Sequence, residues 1–142
     1  SCYASSISSN CDALRNSPGR RLLIVDTCQA SNIEGTFDAH SLAKRSAASQ
    51  FALMVAAQGT EDSQEYEVSK HGLFTHAVLE GLAGASDTNS DGFVQLQELF
   101  DYARAAVGQL RDPLLGPQTP QLIAPPHLRD MPISKPALRA QN

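Results

Sequence analysis

Two apolar runs interrupt a chain that is otherwise polar and rich in small residues. Arg21-Leu22-Leu23-Ile24-Val25-Asp26-Thr27-Cys28 carries its apolar side chains on consecutive positions. That pattern predicts a strand covered on both faces, as in a parallel sheet, because a half-exposed strand would alternate. Phe51-Ala52-Leu53-Met54-Val55-Ala56-Ala57 predicts a second strand of the same kind. The stretch between them, Asn32 to Gln50, is rich in Ser and Ala, has no period and reads as a loop.

Helical spacing appears on both sides of these strands. Ser8 or Ser9 suits the cap of a short helix through Cys11 and Leu14, closed by Asn16-Ser17-Pro18-Gly19. After a polar, acidic loop from Gly59 to Lys70, residues Leu73, Phe74, Ala77, Val78 and Leu82 mark a helix that Gly84-Ala85-Ser86 closes. Leu96, Leu99, Phe100, Ala103, Val107 and Leu110 mark one face of another, the clearest amphipathic signal in the chain. Seven of the eight prolines lie from Pro113 onward, so no long helix is expected there. Pro120 confines a short strand around Gln118 to Ile123 to a sheet edge. The order is helix, strand, loop, strand, helix, helix, edge strand, an α/β pattern. Two or three strands make a narrow sheet, as in part of a larger open one.

Composition narrows the partners. The 142 residues suit one domain, and a net charge of -4 without a basic block argues against a nucleic-acid groove. No apolar run reaches the roughly 20 residues that cross a bilayer, and no charged-then-apolar leader opens the chain. The expectation is a cytoplasmic protein away from membranes. The cysteines, Cys2, Cys11 and Cys28, are odd in number and irregular in spacing, which fits free thiols in a reducing setting better than a disulfide framework.

Cys28 closes the first strand. In open parallel sheets, ligands and reactive groups gather beyond the carboxyl ends of strands. A thiolate there is a strong nucleophile once a neighbour lowers the thiol's pKa from about 8.5. A free cysteine is also among the most buried residue types, so a packed, inert thiol is the plainer alternative. Asp26 lies two residues earlier and, by strand alternation, on the same side. A carboxylate beside a thiol raises the thiol's pKa, so Asp26 does not serve as its activator. It serves better as the receptor for a substrate cation, an Arg or Lys side chain.

The segment Leu22-Leu23-Ile24-Val25-Asp26-Thr27-Cys28-Gln29-Ala30-Ser31 resembles the nucleophile strand of caspase-like cysteine peptidases, most closely the metacaspase and bacterial caspase-like branch. Ser63-Gln64-Glu65-Tyr66-Glu67, His71-Gly72-Leu73-Phe74-Thr75, Asp87 to Tyr102, and Gln118-Thr119-Pro120-Gln121-Leu122 are similar in order and kind to the second half of those domains. The resemblance implies an open, mostly parallel sheet flanked by helices, truncated here, with the early strands and the His loop absent. Residues 1–124 would be the carboxyl-side portion of the peptidase domain and 125–142 a Pro-rich tail. It further implies that Cys28 is the nucleophile of a cysteine endopeptidase and that Asp26 lines the primary specificity pocket. The substrate would be a polypeptide with Arg or Lys before the cut. Asp-Thr-Cys departs from the Gln-Ala-Cys of enzymes that cut after Asp.

That chemistry needs a histidine to carry the proton, about 50 residues before the cysteine in caspases. Only 27 residues precede Cys28, none of them His, and His40, His71, His76 and His127 all follow it. His71-Gly72 imitates the family's His-Gly but falls on the wrong side in chain order, and a surface or capping residue is expected there. The base would come from a missing amino-side segment or chain. The alternatives are a non-catalytic caspase-like relative, a calcium-binding adaptor, or a thiol redox sensor resolved by Cys2 or Cys11.

Two further patterns carry expectations. Lys44 and Arg45 stand in the loop between the strands, where caspase-like enzymes are often cut, and either would suit an Asp26 pocket as a self-cleavage site. Asp87 to Glu98 fits the twelve-residue calcium-loop pattern, with ligands from Asp87, Asn89, Asp91, Phe93, Gln95 and Glu98. A structural Ca2+ is the expectation there, against a polar helix-helix turn satisfied by Asx bonds. The thiol chemistry itself needs no cofactor.

Overall fold

The computed structural model describes residues 17–26, 50–58, 61–66 and 71–137. The short helix expected around Cys11, the Ser/Ala-rich loop up to position 49, Cys28, Lys44 and Arg45 lie outside the described residues.

Both unalternating runs are strands. β1 (Arg21–Val25) and β2 (Phe51–Val55) pair in parallel with Arg21 opposite Phe51 and Val25 opposite Val55. β2 is the better covered of the two, with Phe51, Ala52, Leu53 and Met54 all buried. Two short ladders follow the strand pair. β3 (Glu65–Tyr66) pairs antiparallel with β4 (His71–Gly72), within and just after the stretch expected to be all loop. β5 (Val94–Gln95) leads into the second helix. β6 (Gln121–Ile123) lies antiparallel on β2, so the described sheet has the order β1-β2-β6, with one parallel and one antiparallel pair. Pro120 directly precedes β6, consistent with its edge position.

Helix α1 (Leu73–Glu80) buries Leu73, Phe74, Ala77 and Val78, the face that its spacing predicts. Its last turn loosens into a π-helical turn, Gly81–Ala85, where Gly84 takes φ 113°, a conformation costly to any residue with a Cβ. The Ser86 hydroxyl then donates to the Gly81 carbonyl at 2.9 Å. Helix α2 (Leu96–Leu110) packs across α1 with Leu96, Leu99, Phe100, Ala103 and Val107 inward. Leu110 is left half out. One core joins Met54 of β2 to Phe74 of α1 and Leu99 of α2, while Val25, Phe51 and Leu53 form a smaller cluster beside it.

The core extends beyond position 124 into the Pro-rich stretch. Helix α3 (Pro126–Arg129) starts on proline, where the missing N–H is no loss. It drives Leu128 fully into the core, and Met131 follows nearly as deep. β7 (Pro132–Ser134) pairs antiparallel with β5, with an irregularity in register. Among the described residues no helix is long and apolar enough to cross a membrane.

Candidate functional site

Asp26 leaves the carboxyl end of β1, where the sheet opens. Val25, just before it, is still tied to the neighbouring strand through the Ala56 N–H, which donates to the Val25 carbonyl at 3.0 Å. The Asp26 side chain is half-buried and turned toward α1. That helix begins without a capping side chain of its own, because its N-cap residue is Gly72. Asp26 fills the role from across the fold. The Thr75 N–H, third in the helix, donates to Oδ2 at 3.2 Å, and the Thr75 hydroxyl donates to the same oxygen at 2.5 Å. The Ser63 hydroxyl donates to Oδ1 at 2.9 Å.

Gly72 is required by space. A Cβ there would stand 2.3 Å from Asp26 Oδ2, closer than any real contact. Ser63 is held by its neighbour Gln64, which is buried and fully engaged. The Gln64 N–H donates to Gln118 Oε1, its side-chain amide donates to the Asp112 and Gly116 carbonyls, and its Oε1 accepts from the Asp112 N–H. Gln118 in turn donates to the Ala56 carbonyl at 3.2 Å. Two buried amides thus lock the 61–64 segment to the end of β2 and to the 112–118 loop. Buried polar groups satisfied this completely fix geometry rather than merely tolerate burial.

The described histidines stand apart from this arrangement or serve other partners. His71 is exposed on β4, opposite Tyr66. His76 lies one turn into α1, its ring 4.7 Å from the Tyr66 ring and its Nε2 3.6 Å from Glu80. His127 is exposed on α3. His40 lies outside the described residues.

The Asp87–Glu98 loop has its own arrangement. Asp87 accepts from the Asp91 and Gly92 N–H groups, Asn89 also accepts from the Asp91 N–H, and Asp91 accepts from the Phe93 N–H. Gln95 accepts from the Asn89 amide and donates to Asp91. Glu98 accepts from the N–H groups of Thr88, Asn89 and Gln95 and from the Thr88 hydroxyl. Partial burial pushes the Glu98 carboxyl up, but those donors outweigh it and hold the group below its ordinary value. Gly92 at φ 84° makes the turn possible. Among the described residues, no three His, Cys, Asp or Glu side chains are gathered to hold a metal ion.

Sequence reasoning singled out Asp26 but gave no role to Thr75, Gly72, Ser63, Gln64 or Gln118. One signal was present: a helix that starts after Gly72, with no local cap, needs an acceptor from elsewhere.

A parallel strand pair with a carboxylate at its carboxyl end, two residues before a cysteine in the sequence, and helices packed on the sheet make an α/β arrangement. The family model of the caspase domain, Peptidase C14, matches residues 4–131, nearly the whole chain. The chain belongs to that family, and the domain is of the cysteine-peptidase kind. No curated protein and no solved structure matches it.

Proposed function

We propose that this domain carries the nucleophile of a cysteine endopeptidase that cleaves polypeptides after Arg or Lys. The observation that supports the specificity is the Asp26 carboxylate at the end of β1, half-buried, held by Ser63 and Thr75, and two residues from Cys28. Among the described residues three donors reach it, which leaves one of a carboxylate's roughly four acceptor positions for a substrate cation.

In this reading an imidazole takes the Cys28 thiol proton, Sγ attacks the scissile carbonyl carbon, and the C–N bond breaks to leave a thioester. The departing amine takes a proton from the imidazole, and water, deprotonated by the same imidazole, releases the carboxylic acid and the thiol. The backbone N–H of Cys28 contributes to an oxyanion site. All four histidines follow Cys28 in the chain, against the order of the family's His and Cys, so the imidazole of this reading comes from a missing amino-side segment or chain. Lys44 or Arg45 is the proposed site of self-cleavage. Mass spectrometry of the active protein beside Cys28→Ala tests this, and a cut that persists in the Ala form removes the idea.

Fluorogenic peptides ending in Arg, Lys, Asp or Leu test the main proposal on the whole protein that carries this domain. The expected result is cleavage of the Arg and Lys peptides, lost in Cys28→Ala. Cleavage after Asp instead, or cleavage retained without the thiol, overturns it.

A further inference from the structure

We infer that Thr75 and Ser63 are positioning residues for substrate selection, aiming the Asp26 carboxylate so that a single acceptor position on Oδ1 is left for the substrate's cation. The inference rests on the proposed preference for Arg or Lys and adds the residues that set it.

The geometry divides the two oxygens. Oδ2 accepts both the N–H and the hydroxyl of Thr75, which uses both of its lone-pair directions. Oδ1 accepts the Ser63 hydroxyl, and among the described residues no second donor takes its other direction. The donors come from two segments, α1 and the 61–64 stretch, and neither belongs to the strand that carries Asp26. With both oxygens held from outside, the side chain cannot turn about its own bonds without breaking at least one of these contacts. A carboxylate fixed in this way has already lost its rotamer freedom before the substrate arrives. Neither donor is loose. Thr75 sits in the first turn of a helix whose neighbours Leu73 and Phe74 are buried, and Ser63 adjoins the locked amide of Gln64. Gly72 supplies the room for Oδ2 to reach the helix.

Thr75→Val keeps the shape and removes the hydroxyl donor, whereas Thr75→Ser keeps the donor. Steady-state cleavage of Arg- and Lys-ended peptides by the whole protein is expected to show KM raised about tenfold in Thr75→Val, the scale of losing a hydrogen bond to a charged group, with kcat retained. Thr75→Ser restores KM. Ser63→Ala raises KM without touching a helix, so it decides the matter if Thr75→Val fails to fold. Equal KM in the wild type and Ser63→Ala, or a Thr75→Ser form as impaired as Thr75→Val, overturns the inference and leaves the basic specificity standing. A wild-type protein that cleaves only after other residues removes that specificity first, and the inference with it.

Discussion

Among the carboxylates pinned by hydroxyl and backbone donors in this domain, Asp26 and the acidic 87–98 loop are built in opposite ways. Asp26 takes its donors from Ser63 and Thr75, 37 and 49 positions along the chain. Asp87, Asp91 and Glu98 take theirs from residues at most ten positions away. The acidic loop needs only itself to close, like any Asx-rich turn. The Asp26 arrangement exists only once β1, the 61–64 segment and α1 have come together. The first is a local motif, whereas the second forms only in the assembled fold.

Substitutions in the two regions should separate accordingly. The largest effect is expected at the thiol, where Cys28→Ala lowers peptide cleavage by about a thousandfold or more. Asp26→Asn should lower kcat/KM on Arg and Lys peptides by roughly a hundredfold, as when one partner of a desolvated charge pair is removed. Asp91→Asn in the loop should leave it unchanged. Equal losses at Asp26 and Asp91 in the same assay would erase the contrast.

Glycines give a stability version of the same test. Gly72→Ala drives a methyl group into Asp26 and should cost about 1–3 kcal/mol in urea unfolding, along with activity on basic peptides. Gly92→Ala, at φ 84° with open space around it, should cost about 1–2 kcal/mol of backbone strain and leave activity intact. A Gly92 variant that loses activity would link the loop to the chemistry.

Smaller effects concern pH and calcium. Because folding lowers the Glu98 carboxyl below its ordinary value of 4.5, its contribution is fully present above that pH and is lost as pH falls through the lowered value. Melting temperature in acid should therefore fall less steeply below pH 4.5 in Glu98→Gln than in the wild type. A structural Ca2+ in the Asp87–Glu98 loop is proposed, and calorimetry with calcium checks it: binding heat is the expected outcome, and no heat at about 1 mM calcium ends the proposal. His71→Ala should leave peptide cleavage unchanged, and abolition of cleavage would place the base inside this chain.

Legibility from sequence follows the same division between near and far. The two apolar runs announce β1 and β2, and the spacing of Leu96, Leu99, Phe100, Ala103 and Val107 announces α2, because a strand or helix face is written within one segment. β3, β4 and β5 are two residues long, too short to carry a period. The prolines around β7 hide its part in the core, which depends on the partner strand and on Leu128 four residues before it. At the site, Asp26 is visible by its position beside Cys28. Its holders are not, because pairing residues 26, 63 and 75 requires the crossover from β1 to α1 to be known first. Gly72 gives a partial hint, as a helix start that lacks an acceptor of its own.

The Pro-rich stretch works as a clasp. The Met131 carbonyl accepts the first N–H of α2 at 3.0 Å, and the Ser134 hydroxyl reaches the Leu82 carbonyl at 2.8 Å. β7 meanwhile lies along β5. A shortened chain ending at 124 would open a hole where Leu128 sits and uncover the start of α2 together with the turn after α1. The contacts that close the core therefore run through Ser134, and trimming the proline-marked end by composition alone would discard part of them.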